Sequence, residues 1–430
     1  MSKLQNGIRA AAAVLALVIA PATILAQRPH STAADKPVWN QKAKDEVIEG
    51  MSNYVLNSAY VPGIDFSTWK AELAKIRVDA DKAKSEDEFA GLINRGLHEQ
   101  FNISHIVLMP PSAVEARTSG SKVGIGVRIQ IQEDGVFITS IIPGGPAEKA
   151  GLEAGDLIME ADGHKADGPT YIAGDQGTSV NLKVKKADGT IKMYKVVRQP
   201  FSTVQPEELT WVNKDTAVLA IHTFDLSYSR DNVEKLMKEA LPAKNLIVDL
   251  RNNGGGAVMN MLHFLSMVLP KGTEIGTFIN KRLIDNYVEE TKGDPKDLKA
   301  VAAFAPNKIK TGSSPIQYKG NVAVLVNGGS GSASEITAEA LKEQLNAPVV
   351  GQKSAGAVLV SVISPLPRGF NMQYPISDYV SVKGVRLEAN GIVPDAQSKD
   401  VAYLKKGEQD PAWLLAINLL AKTPRTASGN

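Results

Sequence analysis

A chain of 430 residues, 43% hydrophobic and 22% charged, is long enough for two or three domains with cores of their own and has a soluble globular composition. Forty-eight basic residues against 46 acidic ones leave a formal charge of +2, and no basic run or basic-aromatic patch stands out, which argues against a nucleic-acid partner. The absence of cysteine excludes disulfides, thiolate metal sites and a cysteine nucleophile.

In chain order, Lys3 and Arg9 precede an apolar run from Ala10 to Ala20 that Pro21 breaks, with small residues at Ala20, Ala22 and Ala26. This is the pattern of a signal peptide over residues 1–26. The run is shorter than the roughly 20 residues that a membrane span needs, and a lipoprotein anchor would require a cysteine. The expectation is export to a periplasm or beyond it, with no stable membrane anchor once the peptide is cleaved. Residues 27–38 read as a polar linker. Over 39–115, Val47, Met51, Tyr54 and Val55, then Phe89, Leu92, Ile93 and Leu97, recur at helical spacing, and Pro110-Pro111 closes the region. Residues 116–200 change to short alternating strands such as Val180, Leu182 and Val184, around turns such as Asp188-Gly189, and predict a small, mostly β domain.

Between residues 201 and 421 short apolar runs (Ala217–Ile221, Leu246–Leu250, Val322–Val326, Val349–Val350) alternate with helical segments, which predicts a largely parallel sheet in an α/β domain. Residues 358–388 read as strands with turns, and 422–430 as a disordered tail.

Two glycine-rich strand-to-helix corners carry most of the chemical information. The first is Asp249-Leu250-Arg251-Asn252-Asn253-Gly254-Gly255-Gly256; the second is Asn327-Gly328-Gly329-Ser330-Gly331-Ser332-Ala333-Ser334-Glu335-Ile336. Such corners expose free backbone N–H groups at a positive helix end, where an anion or a transient oxyanion can sit. Ser332 and Glu335 also fit a capping box, and local pattern alone asks for nothing more. A dinucleotide loop fits poorly, because the third glycine is replaced by Ser334. A G-x-S-x-G nucleophile elbow around Ser330 fails because Ser332 stands where glycine is required.

Together these segments resemble the C-terminal processing peptidases. Asp249–Gly256 resembles their D-L-R-x-N-x-G-G turn, and Ser332-Ala333-Ser334-Glu335-Ile336 their S-A-S-E-I motif, whose first serine is the nucleophile. Residues 116–200 resemble their inserted PDZ module, with Gly124-Ile125-Gly126-Val127 at the carboxylate-binding loop that takes a peptide. The resemblance implies an α/β, crotonase-like (ClpP/crotonase) catalytic core carrying an N-terminal helical region and the inserted β domain. It also implies a serine-type peptidase acting on polypeptides, with no cofactor and no metal.

One departure is informative. Where the processing peptidases place a lysine, in G-E-P-T-x-G-K, this chain has Gly351-Gln352-Lys353-Ser354-Ala355-Gly356-Ala357. The tricorn-core branch instead uses a Ser-His pair and a late glutamate, and Ser104-His105 and Glu388 occur here in that order. The resemblance then implies Ser332 as nucleophile and His105 as base, with Ser104 and Glu388 orienting the imidazole. The oxyanion would be held by the N–H groups of Ala333 and Gly255, with Gly254 as the rival to Gly255. Two alternatives stay open: a Ser-Lys dyad through Lys353, and a non-catalytic peptide or hydrophobic-ligand binder of the same fold. The stretch between Gly163 and Gln176 is too short for the usual PDZ groove helix, so capture of peptide C-termini there is not expected to be tight.

Overall fold

The computed structural model describes residues 39–401, 404 and 408–422. The expected signal peptide and linker lie outside these residues. So does the expected tail, except Lys422, which closes the last helix.

Three helices open the described chain: α1 (Gln41–Ser58), α2 (Trp69–Ala80) and α3 (Glu86–Phe101). Asn40 and Ser85 cap α1 and α3 by accepting the N–H groups of Ala43 and Glu88. Val47, Met51 and Val55 fall four residues apart on one face of α1 and are fully buried, together with Trp69, Phe89, Ile93 and Leu97. The helical reading of 39–115 needs one correction. Asn102, left-handed at φ 46°, ends α3, and Val107–Met109 form a strand, β1. The Asn94 side chain fastens β1 to α3 by accepting the Leu108 N–H and donating to its carbonyl. A short helix follows, α4 (Pro111–Ser119), started by a proline and closed by left-handed Gly120.

The β domain enters and leaves through two antiparallel strands, β2 (Ser121–Gly124) and, at its far end, Gln199–Ser202. Between them run β3 (Val127–Gln132), β4 (Gly135–Ile141), the helix α5 (Pro146–Ala150), β5 (Leu157–Ala161), β6 (His164–Lys165), β7 (Ser179–Lys185) and β8 (Ile191–Val197); the exit strand is β9. The sheet order is β3-β4-β5-β7-β8, which leaves β3 at an edge. Val136, Ile138, Ile158, Val180, Leu182 and Val184 form its core.

The α/β domain then builds β10 (Glu208–Asn213), β11 (Thr216–Ala220), α6 (Arg230–Ala240), β12 (Asn245–Asp249), α7 (Val258–Val268), β13 (Glu274–Ile279), α8 (Lys281–Thr291), α9 (Leu298–Phe304), β14 (Ile309–Lys310), β15 (Asn321–Val326), α10 (Ala333–Leu345) and β16 (Val349–Gly351). It ends with β17 (Val360–Pro365), β18 (Asn371–Val380), β19 (Ala396–Gln397) and α11 (Pro411–Lys422). One sheet runs β10-β11-β12-β15-β16-β19, parallel except for β10. Its strands are apolar on both faces: Ala217, Leu219, Leu246 and Val248 pack under α6, α7 and α10, while Val218, Ile247, Ala323 and Leu325 pack under α11. The second sheet, β1-β18-β13-β14 with β17 on β18, is antiparallel, so segments over 260 residues apart meet in it. The nucleophile corner hangs from the first sheet and the Ser104-His105 segment from the second.

Candidate active site

Ser332 stands at the start of α10 with φ 54° and ψ −120°. That conformation is costly for a residue with a side chain and persists only where its surroundings impose it. Here the Ser332 N–H is held by the Ala357 carbonyl at 2.7 Å and by Glu335 Oε2 at 3.1 Å, and its carbonyl accepts the Glu335 N–H. The hydroxyl is thereby turned off the helix axis toward His105, 3.2 Å from Nε2. Although the G-x-S-x-G motif is absent, a strand, a tight turn, a serine at positive φ and a helix still follow one another here.

His105 lies in the irregular stretch between α3 and β1, also at positive φ, 60°. Its Nδ1 is 2.6 Å from Ser104 Oγ. Ser104 Oγ donates to Glu388 Oε2 at 2.9 Å, and the Ser104 N–H donates to Oε1 at 3.0 Å. Glu388 is 4% exposed and also accepts the Val358 N–H at 2.7 Å. This chain fixes the tautomer. The carboxylate can only accept, so the Ser104 hydroxyl spends its single proton on Glu388 and must accept from His105 Nδ1–H. Nε2 then carries the free lone pair, aimed at the Ser332 hydroxyl. Burial holds the His105 pKa below its ordinary 6.5, and the negative charge of Glu388 offsets this only in part. The imidazole is therefore neutral and basic at neutral pH.

The remaining expected residues divide. Ala333 is the first residue of α10, and among the described residues none accepts its N–H. Gly255 sits hard against Ser332, since a Cβ there would lie 2.6 Å from the Ser332 Cβ, and its φ of 96° suits glycine. The expectation that the Gly255 N–H is an oxyanion donor is corrected: it already donates to Asn253 Oδ1 at 2.9 Å. Among the described residues, none accepts the Gly254 N–H of the same turn. Gly124-Ile125-Gly126-Val127 joins β2 to β3, with the Ile125 and Gly126 carbonyls accepting from Ala147 and Ile142. No helix lies between β6 and β7; buried Arg198 fastens that loop instead, donating to the carbonyls of Ile172, Tyr171 and Ser179. Lys353 is exposed and lines a surface pocket with Gln352, Gln397, Ser398 and Lys399, none of them a residue of the serine-histidine chain. Among the other histidines, His98 is exposed, His263 bonds Tyr228 and Glu234, and His222 is half-buried beyond β11. Ser330 Oγ donates to the Leu250 carbonyl and so shapes the turn.

The organising roles of two residues escaped the sequence reading. Glu335, fully buried, gathers the N–H groups of Ser332, Gly356 and Ala357 and the Ser354 hydroxyl, and so ties the nucleophile turn to the loop where a lysine is missing. Fully buried Asn253 donates to the Ile221 carbonyl, accepts from Gly255 and, through its own carbonyl, accepts the Gly331 N–H, joining the two corners. A polar residue inside each glycine-rich motif was the available signal.

The sequence profile of peptidase family S41 matches residues 215–398, and that of the PDZ domain matches 113–192. A protein of Staphylococcus haemolyticus named "Probable CtpA-like serine protease" is 26% identical over 297 residues, which cover 66% of this chain and 54% of that protein. One of the same name from Staphylococcus aureus (strain N315) is 26% identical over 351 residues, covering 79% and 62% respectively, so the chain spans less than two thirds of these relatives. Among solved structures, a Bacteroides fragilis protein described as "Putative S41 protease" superposes with TM-score 0.54 at 14% identity, covering 86% of this chain and 97% of its own. Mature CPAF complexed with lactacystin superposes with TM-score 0.52 at 15% identity, covering 89% and 98%. These two likenesses concern the mixed α/β fold. Over residues 215–398 the chain is similar to peptidase family S41, and over residues 113–192 it is similar to the PDZ domain.

Proposed function

We propose that this protein is an exported serine endopeptidase that hydrolyses exported or unfolded polypeptides through an acyl-enzyme. The observation that carries the reading is the unbroken hydrogen-bonded chain Ser332–His105–Ser104–Glu388. Ser332 Oγ attacks the peptide carbonyl carbon while Nε2 of His105 takes its proton, and the imidazolium then protonates the departing amine. Water, deprotonated by the same nitrogen, cleaves the ester and restores Ser332. Ser104 relays the charge of Glu388 to Nδ1–H and so stabilises the imidazolium. The oxyanion forms against the Ala333 N–H, with Gly254 rather than Gly255 as the second donor, because the Gly255 N–H is committed to Asn253.

The α/β core is read as crotonase-like, and the N-terminal segment outside the described residues as the export signal. No described helix is long and apolar enough to cross a membrane. The PDZ domain offers the edge of β3 without an opposing helix, which suits a spacer or lid better than a tight peptide clamp. Treating the purified protein with a fluorophosphonate probe is expected to label Ser332, located by peptide mass mapping, and the same preparation should hydrolyse an unfolded polypeptide. A protein that binds such polypeptides yet takes up no probe would instead be the non-catalytic binder.

A further inference from the structure

Arg117 and Asp225 form a two-pronged ion pair, Nε to Oδ2 at 2.8 Å and Nη2 to Oδ1 at 2.7 Å, that neither corner motif includes. The side chains are 31% and 34% exposed, and pairs so open to water contribute little to folding. What they connect is the point of interest. Arg117 belongs to α4, which continues β1 and hence the segment holding His105. Asp225 belongs to the segment 223–225, which is welded to the first glycine corner. There the Phe224 N–H donates to the Gly255 carbonyl at 2.8 Å and the Ala257 N–H to the Phe224 carbonyl at 2.8 Å. The Thr223 hydroxyl donates to the Gly255 carbonyl at 3.4 Å and accepts the Asp225 N–H at 2.9 Å. The backbones run so close that a Cβ on Gly256 would lie 2.1 Å from the Asp225 nitrogen. Gly255 in turn abuts Ser332.

We infer that the Arg117–Asp225 pair is a positioning brace for catalysis. It ties the arm that carries the base to the turn that borders the nucleophile and the oxyanion. A fork-to-carboxylate pair fixes direction as well as distance, which a looser contact between α4 and 223–225 would not do. Neither side chain meets the reacting atoms; both act through Gly255 and the Ser332 corner. Because the brace lies at the neck where the chain enters the PDZ domain, it is also where a displacement of that domain would first reach the site. The inference rests on the peptidase reading above.

The test measures Asp225→Asn, Arg117→Gln, their double variant and Arg117→Lys on a fluorogenic peptide. It also compares a peptide aldehyde, which forms a tetrahedral oxyanion adduct, with the matching peptide alcohol, which does not. Expected is a fall in kcat of about ten- to a hundredfold with KM little changed, since misplacement by an ångström can cost that much. Aldehyde affinity should fall in step while alcohol affinity and Tm hold. The double variant should be no worse than the singles, and Arg117→Lys should recover part of the rate. Variants within twofold of the wild-type kcat would overturn the brace, as would equal losses of aldehyde and alcohol binding accompanied by a lower Tm. Wild-type protein that neither turns over peptide nor takes up the fluorophosphonate would overturn the peptidase reading first, and the brace with it.

Discussion

Replacing Ser332 or His105 with alanine is expected to lower kcat by about four to six orders of magnitude, and replacing both should cost no more than replacing either. The reason lies in the geometry at Nε2. A serine hydroxyl is a poor nucleophile at neutral pH unless a base takes its proton as it attacks. Nε2, at 3.2 Å, is the one ring nitrogen with its lone pair toward Oγ. Removing either partner leaves only the backbone donors to accelerate the reaction, hence the lack of additivity. Lys353→Ala should change turnover little, because that side chain is exposed and lies against residues outside the chain. Circular dichroism and Tm should stay close to wild type in all four proteins, so that lost rate is not mistaken for lost fold.

The second large effect is expected at the far end of the chain. Glu388→Gln should lower kcat by about two to four orders of magnitude, near the cost of neutralising the carboxylate in a serine-histidine-aspartate triad. An amide can turn its NH₂ toward Ser104, in which case the Ser104 hydroxyl no longer has to point at residue 388. Its proton can then turn toward Nδ1, and the tautomer that aims a lone pair at Ser332 is no longer enforced. Ser104→Ala should be milder, about ten- to a hundredfold, because Glu388 stays buried nearby and still holds the N–H of residue 104 and of Val358. Steady-state kinetics on one fluorogenic peptide gives both numbers. A Glu388→Gln rate within threefold of wild type would contradict the relay.

How much of this was legible in the sequence follows from where each signal resides. Val47, Met51 and Val55 announce a helix because one face repeats locally, and the apolar runs at 217–221 and 322–326 announce strands for the same reason. The pairing of Val107–Met109 with Asn371–Gln373 has no local signature, and the helical pattern that precedes Pro110 gives no sign of the strand. Ser332, Ser104, His105 and Glu388 could be named because two glycine corners and a missing lysine resembled a known pattern. No periodicity brings Ser104 to Glu388 across 284 residues of sequence. Gly255 illustrates the limit from the other side. Its motif marks it as a residue beside the nucleophile, which the close approach to Ser332 explains, but the direction of its N–H depends on the Asn253 side chain. Glu335 looked like a helix cap and proves to gather a whole loop, a role visible only once Gly356 and Ala357 lie within its reach. The Arg117–Asp225 pair left no trace in the sequence, since its partners belong to no motif.

The central claim is that neutral His105, oriented by Ser104 and charged Glu388, activates Ser332, and the pH dependence of kcat/KM tests it most directly. The imidazole must be neutral to accept the serine proton, so the rate falls as pH drops through the His105 pKa. Burial sets that pKa below 6.5 despite the opposing charge of Glu388. The account predicts an acid limb with its midpoint below 6.5 in the wild type. In Glu388→Gln the charge that raises the His105 pKa is gone, so the midpoint should move to still lower pH while the plateau falls. An acid limb centred on the alkaline side of neutrality, unmoved by Glu388→Gln and retained in His105→Ala, would contradict the account and point to an amine as the base.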